Sequence, residues 1–279
     1  MSTEKLEFIS LPSAPEIKLR VFTSFHKKGA CTTIVIVPGY LGYIEERLPL
    51  AHALSKYYNV ILYEPRGYGQ STALHKKGIY GVKDFANELK ELIECYQLSD
   101  NNFAIFGSSL AVAFIHYYCV FLPDPKPKPI ALLLASPSPK YREAGVFRKV
   151  RHLPNWLLDI FEVITFTWLQ LTRNPEERKD LRYAKKRMKE LDSWVQRRIA
   201  IETLGVVDFR GRESDIKIPI LVLSSMKDDI TDPEEAKAYL KGHKLSKQIF
   251  INHNSHKFIE GREREIAEYI HTFLEEIQK

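Results

Sequence analysis

Between residues 31 and 139 the chain alternates two kinds of segment. Short runs rich in β-branched and aliphatic residues, at 32–37, 59–63, 102–106 and 129–135, read as buried strands. Between them, 47–56 and 82–98 carry apolar residues at three- and four-residue spacing, the period of a helix with one buried face. Strands alternating with helices predict a largely parallel sheet covered on both sides. Upstream, 6–11 and 17–24 read as an antiparallel hairpin at the sheet edge.

The alternation stops at residue 137 and returns at 214. The intervening stretch shows helical patterns at 154–171, 175–190 and 192–204, introduced by the prolines at 123–129 and by Pro137 and Pro139. Beyond it, 218–224 and 247–251 read as strands, and 233–240 and 261–277 as helices. The expected organisation is one α/β domain, 1–136 with 214–279, interrupted once by a helical segment at 137–213.

Composition narrows the class. With 44% hydrophobic and 27% charged residues in 279, the chain can bury a full core, and disorder, collagen and coiled coil are excluded. The net charge is +6, and residues 137–215 hold seventeen basic against twelve acidic side chains, so most of the excess lies in the interruption. Because the two signs are interleaved there, the pattern is that of a solvated helical surface, and no nucleic-acid partner is expected. Cys31, Cys95 and Cys119 are odd in number and widely spaced, which fits a reducing compartment and no disulfide framework. No run reaches about 18 uncharged apolar residues and the N-terminus carries no signal-peptide pattern. A soluble, cytoplasmic protein is expected.

The sharpest local feature is Phe103-Ala104-Ile105-Phe106-Gly107-Ser108-Ser109-Leu110-Ala111, a strand that runs into a small-x-Ser-x-small turn and then a helical stretch to Val120. Such a turn drives its middle residue into strained backbone space, and small neighbours two positions away let strand and helix approach. Ser109 then stands at a helix N-terminus, where the Leu110 amide and the helix dipole face negative charge. A serine nucleophile needs a base, and the base needs an acceptor that fixes its tautomer. In an open parallel sheet these come from the carboxyl ends of strands. Two later strands end suitably: 221–229 ends in Asp228-Asp229, and 248–256 ends in His253-Asn254-Ser255-His256. The order Ser, Asp, His is that of nucleophile-elbow enzymes.

These segments identify a resemblance to the α/β-hydrolase superfamily, in the branch with a helical cap after the sixth strand. Val35-Ile36-Val37-Pro38-Gly39-Tyr40 resembles its oxyanion strand and loop, and Tyr63-Glu64-Pro65-Arg66-Gly67-Tyr68-Gly69-Gln70-Ser71 its D-x-R-G-x-G-x-S loop. The serine turn is the third match, and the run from Asp228 to Pro233 with Ser255-His256 is the fourth. The resemblance implies a mostly parallel, twisted eight-stranded sheet with helices on both faces. It implies Ser109 as nucleophile, His256 as base and Asp228 as the acid, with the amides of Tyr40 and Leu110 as oxyanion donors. Asp228 is preferred to Asp229 because Asp228-x-Ile230-Thr231 aligns with the family's D-x-I-V run, and His256 to His253 because it takes the place of the family's Gly-His pair. Asp232 is expected to cap the helix starting at Pro233.

Three departures stand out: Pro38 replaces a histidine, Ala111 and Val112 replace two glycines, and Glu64 replaces an aspartate. None removes a triad member. His253 and His256 lack an H-E-x-x-H context, so no metal is expected, and Gly67-x-Gly69 lacks the rest of a dinucleotide fingerprint, so no cofactor is implied. In the interruption, Leu157, Phe161, Ile164 and Trp168 share one helical face, expected either to line an apolar pocket over Ser109 or only to pack the cap against itself and the core. Trp156, Phe161 and Trp168 beside basic residues also suit shallow membrane contact, which Asp159 and Glu162 oppose. The expectation is a serine hydrolase acting on the carboxylic ester of a small apolar acyl substrate. Thioester, amide or carbon–carbon cleavage on the same triad, or a non-catalytic small-molecule binder, are the alternatives.

Overall fold

A computed structural model describes residues 2–26, 32–141, 155–172, 192–228 and 230–279. The strands are β1 (Ser2–Leu11), β2 (Ala14–His26), β3 (Thr33–Val37), β4 (Asn59–Tyr63), β5 (Phe103–Ser108), β6 (Ala131–Ala135), β7 (Ile220–Ser225) and β8 (Lys247–Ile251). They form one sheet in the order β1-β2-β4-β3-β5-β6-β7-β8. β1 and β2 pair antiparallel with each other and β2 pairs antiparallel with β4, whereas all later neighbours are parallel. The expected edge hairpin is therefore present, and longer at both strands than the apolar pattern indicated.

The period of two in each strand divides the core. Val35, Val37, Ile61, Tyr63, Ile105, Leu132 and Val222 face one layer, which α2 (Val82–Cys95) and α3 (Ala111–Val120) cover. Ile34, Ile36, Val60, Leu62, Phe106, Leu133 and Leu221 face the other, covered by α1 (Ile44–Leu54) and the C-terminal helix Glu263–Ile277. Strands buried on both faces read as continuous hydrophobic runs, which is why they were visible in the sequence.

Among the described residues, two further α-helices lie between β6 and β7 in the chain, α4 (Asn155–Thr172) and α5 (Ser193–Thr203), and the C-terminal helix is α6. Asp192 caps α5, its carboxylate accepting from the Val195 amide at 3.0 Å. The expected helix at 175–190 lies outside the described residues. The expected helix at 233–240 is instead a 3₁₀ segment, Glu235–Gly242. Asp232 Oδ1 accepts from the Glu234 amide at 2.9 Å ahead of it, and Gly242 lies so close to the Ile216 carbonyl that a Cβ would fall 1.9 Å from its oxygen.

α1 begins three residues before the periodicity suggested, and the cause is remote in sequence. The buried Glu64 carboxylate accepts from the Ile44 amide at 2.9 Å, satisfying a helix-start donor that local sequence leaves open. It also accepts from the Gln70 amide at 2.7 Å and from Arg20 Nη1 at 3.2 Å, so Glu64 serves as an anchor for this loop. Burial pushes its carboxyl up despite these donors.

Arg66, in the same loop, donates from Nε to Glu88 Oε2 at 2.7 Å, and Glu88 on α2 is fully buried. Burial raises the Glu88 carboxyl and Arg66 offsets part of that rise. Breaking a buried pair leaves the partner charge uncompensated. Glu88→Ala is therefore expected to destabilise the fold by about 3–5 kcal/mol, read as the change in chemical-denaturation free energy. A loss under about 1 kcal/mol, the value of an exposed pair, would contradict this reading.

Candidate active site

The serine turn forms where strand β5 gives way to α3. Ser109 has φ 52°, left-handed space that a non-glycine residue occupies only under constraint. The constraint is visible on both sides. Its amide donates to the Ala135 carbonyl at 2.9 Å, extending the parallel ladder, and its carbonyl accepts from the Val112 amide at 2.9 Å. A Cβ on Gly107 would lie 2.2 Å from Cδ1 of Ile115, so α3 rests directly on the strand. The same Cβ would sit 3.6 Å from that of Ala111, an ordinary contact, which explains how the helix accommodates alanine where the family has glycine.

The Ser109 carbonyl has a second donor that no sequence pattern announced. Tyr141 Oη donates to it at 2.5 Å. Tyr141 is 6% exposed, and burial pushes its hydroxyl well above the ordinary tyrosine range, so it remains a donor at every working pH. Removing one neutral hydrogen bond costs about 1 kcal/mol. Tyr141→Phe is expected to lower the melting temperature by about 2–4 °C, the shift that about 1 kcal/mol makes in a chain of this size, and an unchanged melting temperature would defeat this.

The loop after β3 lies against this turn. A Cβ on Gly39 would meet the Ser108 carbonyl oxygen at 2.9 Å and Ser109 Cβ at 3.4 Å, so only glycine allows the approach. The turn closes through the Gly42 amide, which donates to the Gly39 carbonyl at 2.8 Å, with Leu41 at φ 54°. Tyr40 Oη donates to the Gln196 carbonyl on α5 at 3.1 Å, tying the loop to the inserted helices. Tyr40 and Leu110, the two expected oxyanion residues, both border the same cavity as Ser109.

His256 follows β8, and its Nδ1 lies 3.0 and 2.9 Å from the two carboxylate oxygens of Asp228, which follows β7. The amides of Ile230 and Thr231 donate to Asp228 Oδ1, each at 2.9 Å. Ser136 and Thr231 hydroxyls donate to Oδ2 at 2.6 and 2.9 Å. Burial opposes the charge on Asp228, but the bonds from His256, Ser136, Thr231 and Ile230 outweigh it and hold the carboxyl well below the usual carboxylate range. A carboxylate accepting at Nδ1 leaves Nε2 as the imidazole position able to take a proton. The His253 ring accepts from the Ser255 amide at 3.2 Å, and its carbonyl accepts from the Ser225 hydroxyl at the end of β7 at 2.6 Å.

Ser109, His256, Tyr40 and Leu110 open onto one cavity of about 490 Å³. Its apolar wall comes from Tyr141, Leu204, Ile230, Phe258 and Ile259, and Glu46, Arg47, Lys140 and Glu235 stand around it. The wall differs from the one expected. Leu157, Ile164 and Trp168 are not among the lining residues, and Ile164 and Trp168 are each 61% exposed. The Phe161 side chain lies outside the described residues. Among the described residues, the inserted segment reaches the cavity through Ser138, Lys140, Tyr141 and Leu204, and the Gly205 amide donates to the Tyr141 carbonyl at 3.2 Å, which brings these two stretches together.

The family model for serine aminopeptidase, S33, matches residues 28–263, a span that contains every one of these residues. The chain belongs to this S33 family of α/β-hydrolases. Solved structures agree on the fold of this S33 chain. An enol-lactonase from Burkholderia xenovorans LB400 aligns with a TM-score of 0.74 at 18% identity, covering 96% of this chain and 99% of that one. The esterase EaEST from Exiguobacterium antarcticum aligns at 0.73 and 17% identity, over 96% and 98%. A bromoperoxidase from Bacillus anthracis aligns at 0.72 and 16% identity, over 97% and 100%. No match was found among curated proteins. The S33 chain is a hydrolase by family, and among its described residues no helix is long and apolar enough to cross a membrane.

Proposed function

We propose that the protein is a serine hydrolase that cleaves a carboxylic ester through an acyl-enzyme. The observation that carries this is the His256–Asp228 pair at 2.9 Å opening onto the same cavity as a serine held at φ 52°. In this reading Ser109 Oγ attacks the acyl carbonyl while His256 Nε2 takes its proton, and the amides of Tyr40 and Leu110 hold the oxyanion. The imidazolium then returns the proton to the leaving alcohol. Water activated by His256 hydrolyses the acyl-enzyme and frees the acid. Residues 137–213 act as a cap, closing the acyl side of the cavity with Tyr141 and Leu204.

Amide cleavage is the second reading, favoured by the family's description as a serine aminopeptidase. The two need the same triad and differ in what the cavity wall accepts. A panel of p-nitrophenyl esters of graded acyl length, matched thioesters and aminoacyl p-nitroanilides separates them. The ester reading expects the highest kcat/KM on an ester with an apolar acyl group. A preference for aminoacyl anilides by tenfold or more would replace it with the peptidase reading. No turnover on any arm, with no covalent labelling by a fluorophosphonate, would make the protein a binder of small molecules.

A further inference from the structure

Strands β5, β6, β7 and β8 are neighbours in the sheet, and the residues just beyond β5, β7 and β8 are the proposed triad. The residue just beyond β6 is Ser136. It is 3% exposed, and its Oγ–H donates to Asp228 Oδ2 at 2.6 Å, a shorter contact than either from His256 Nδ1. The other donors to Asp228 besides His256 are the Ile230 and Thr231 amides and the Thr231 hydroxyl, all within three residues of the carboxylate. Those groups travel with the loop. Among the described residues, Ser136 is the one group besides His256 that reaches the carboxylate from a neighbouring strand, and its own amide is fixed to the Leu223 carbonyl of β7 at 2.8 Å.

The backbone at this position points the same way. Ser136 has φ 49°, a conformation that glycine adopts without steric cost and serine does not. What serine supplies there and glycine lacks is the hydroxyl. We propose that Ser136 is a positioning residue, whose hydroxyl anchors the Asp228 carboxylate to the β6 end so that it meets His256 Nδ1 in the orientation required when Ser109 gives up its proton. This inference rests on the triad reading above. Orientation of the base matters because a reacting group displaced by a fraction of an ångström loses much of its effectiveness.

The test uses the full-length chain, with Ser136→Gly and Ser136→Ala measured for kcat, KM, fluorophosphonate labelling rate and melting temperature. Both are expected to lower kcat and the labelling rate about tenfold, the scale of one hydrogen bond to a charged group, with KM within about twofold of the parent. Ser136→Gly is expected to melt at or above the parent, because it relieves the left-handed strain. Ser136→Ala keeps that strain and isolates the hydroxyl. Retention of parental kcat and labelling rate by either variant overturns the proposal. So does a loss of kcat matched in both variants by a loss of melting temperature, which would make Ser136 a structural residue. A parent chain that is never labelled at Ser109 overturns the triad reading and this inference with it, whereas labelling that is equally fast in the variants defeats the anchor alone.

Discussion

Ser109→Ala is expected to lower kcat/KM on an aryl ester by about 10⁴-fold or more while the protein still folds and binds substrate. The size follows from the loss of the atom that forms the acyl-enzyme in the proposed mechanism. Ser108 is no substitute, because its hydroxyl is buried and bonded to no partner among the described residues. Alanine at 109 faces the same φ of 52° as serine, so the strand–helix turn and the melting temperature should stay as they are. The residual rate would reflect the oxyanion donors and binding alone. Steady-state kinetics on the purified variant check the prediction, and activity within tenfold of the parent would remove Ser109 from the mechanism.

Asp228→Asn should cost about as much, on the order of 10⁴-fold in kcat, for a different reason. An amide at this position would present an N–H toward His256 Nδ1, which now lies 2.9 Å from a carboxylate oxygen, and would favour the tautomer with its proton on Nε2. That tautomer cannot accept from Ser109. The same substitution makes a stability prediction with a definite sign. Asp228 has a folded-state pKa depressed below its unfolded value of about 3.9, so it contributes stability that is present above that value and lost as pH falls through the folded one. The parent should therefore exceed Asp228→Asn in stability at neutral pH, and the gap should narrow as pH falls below about 3.9. Denaturation midpoints across pH test it. A gap that is flat or widens on acidification would contradict the depressed pKa.

The sheet was largely legible in the sequence because strands buried on two faces have a plain signature. The run Asn59–Tyr63 coincides with β4, and Lys247–Ile251 coincides with the half-exposed edge strand β8 through its aliphatic and aromatic content. Boundaries failed where long-range contacts set them. α1 starts at Ile44 because Glu64, twenty residues later, accepts its amide, and nothing local to residues 44–47 carries that information. The serine turn was legible at a strand end, whereas the choice of Asp228 over Asp229 and of His256 over His253 came from the resemblance to the α/β-hydrolase family. Ser136 and Tyr141 were legible in neither way, since a lone serine after a strand and a lone tyrosine after two prolines carry no periodic or motif signal. Their roles exist only once β5, β6 and β7 are adjacent. The expected pocket face of α4 was an inference from amphipathicity, which says that a face is apolar and not what it faces.

The central claim is that Ser109 reacts because His256, held by Asp228, takes its proton. Its most direct test is the rate of fluorophosphonate labelling in the parent and in His256→Ala, with the modified residue located by peptide mass spectrometry. The account predicts one label per chain, on Ser109, forming at least a hundredfold more slowly without the imidazole. Labelling of Ser109 at the same rate in both proteins, or a label on another residue, would contradict it.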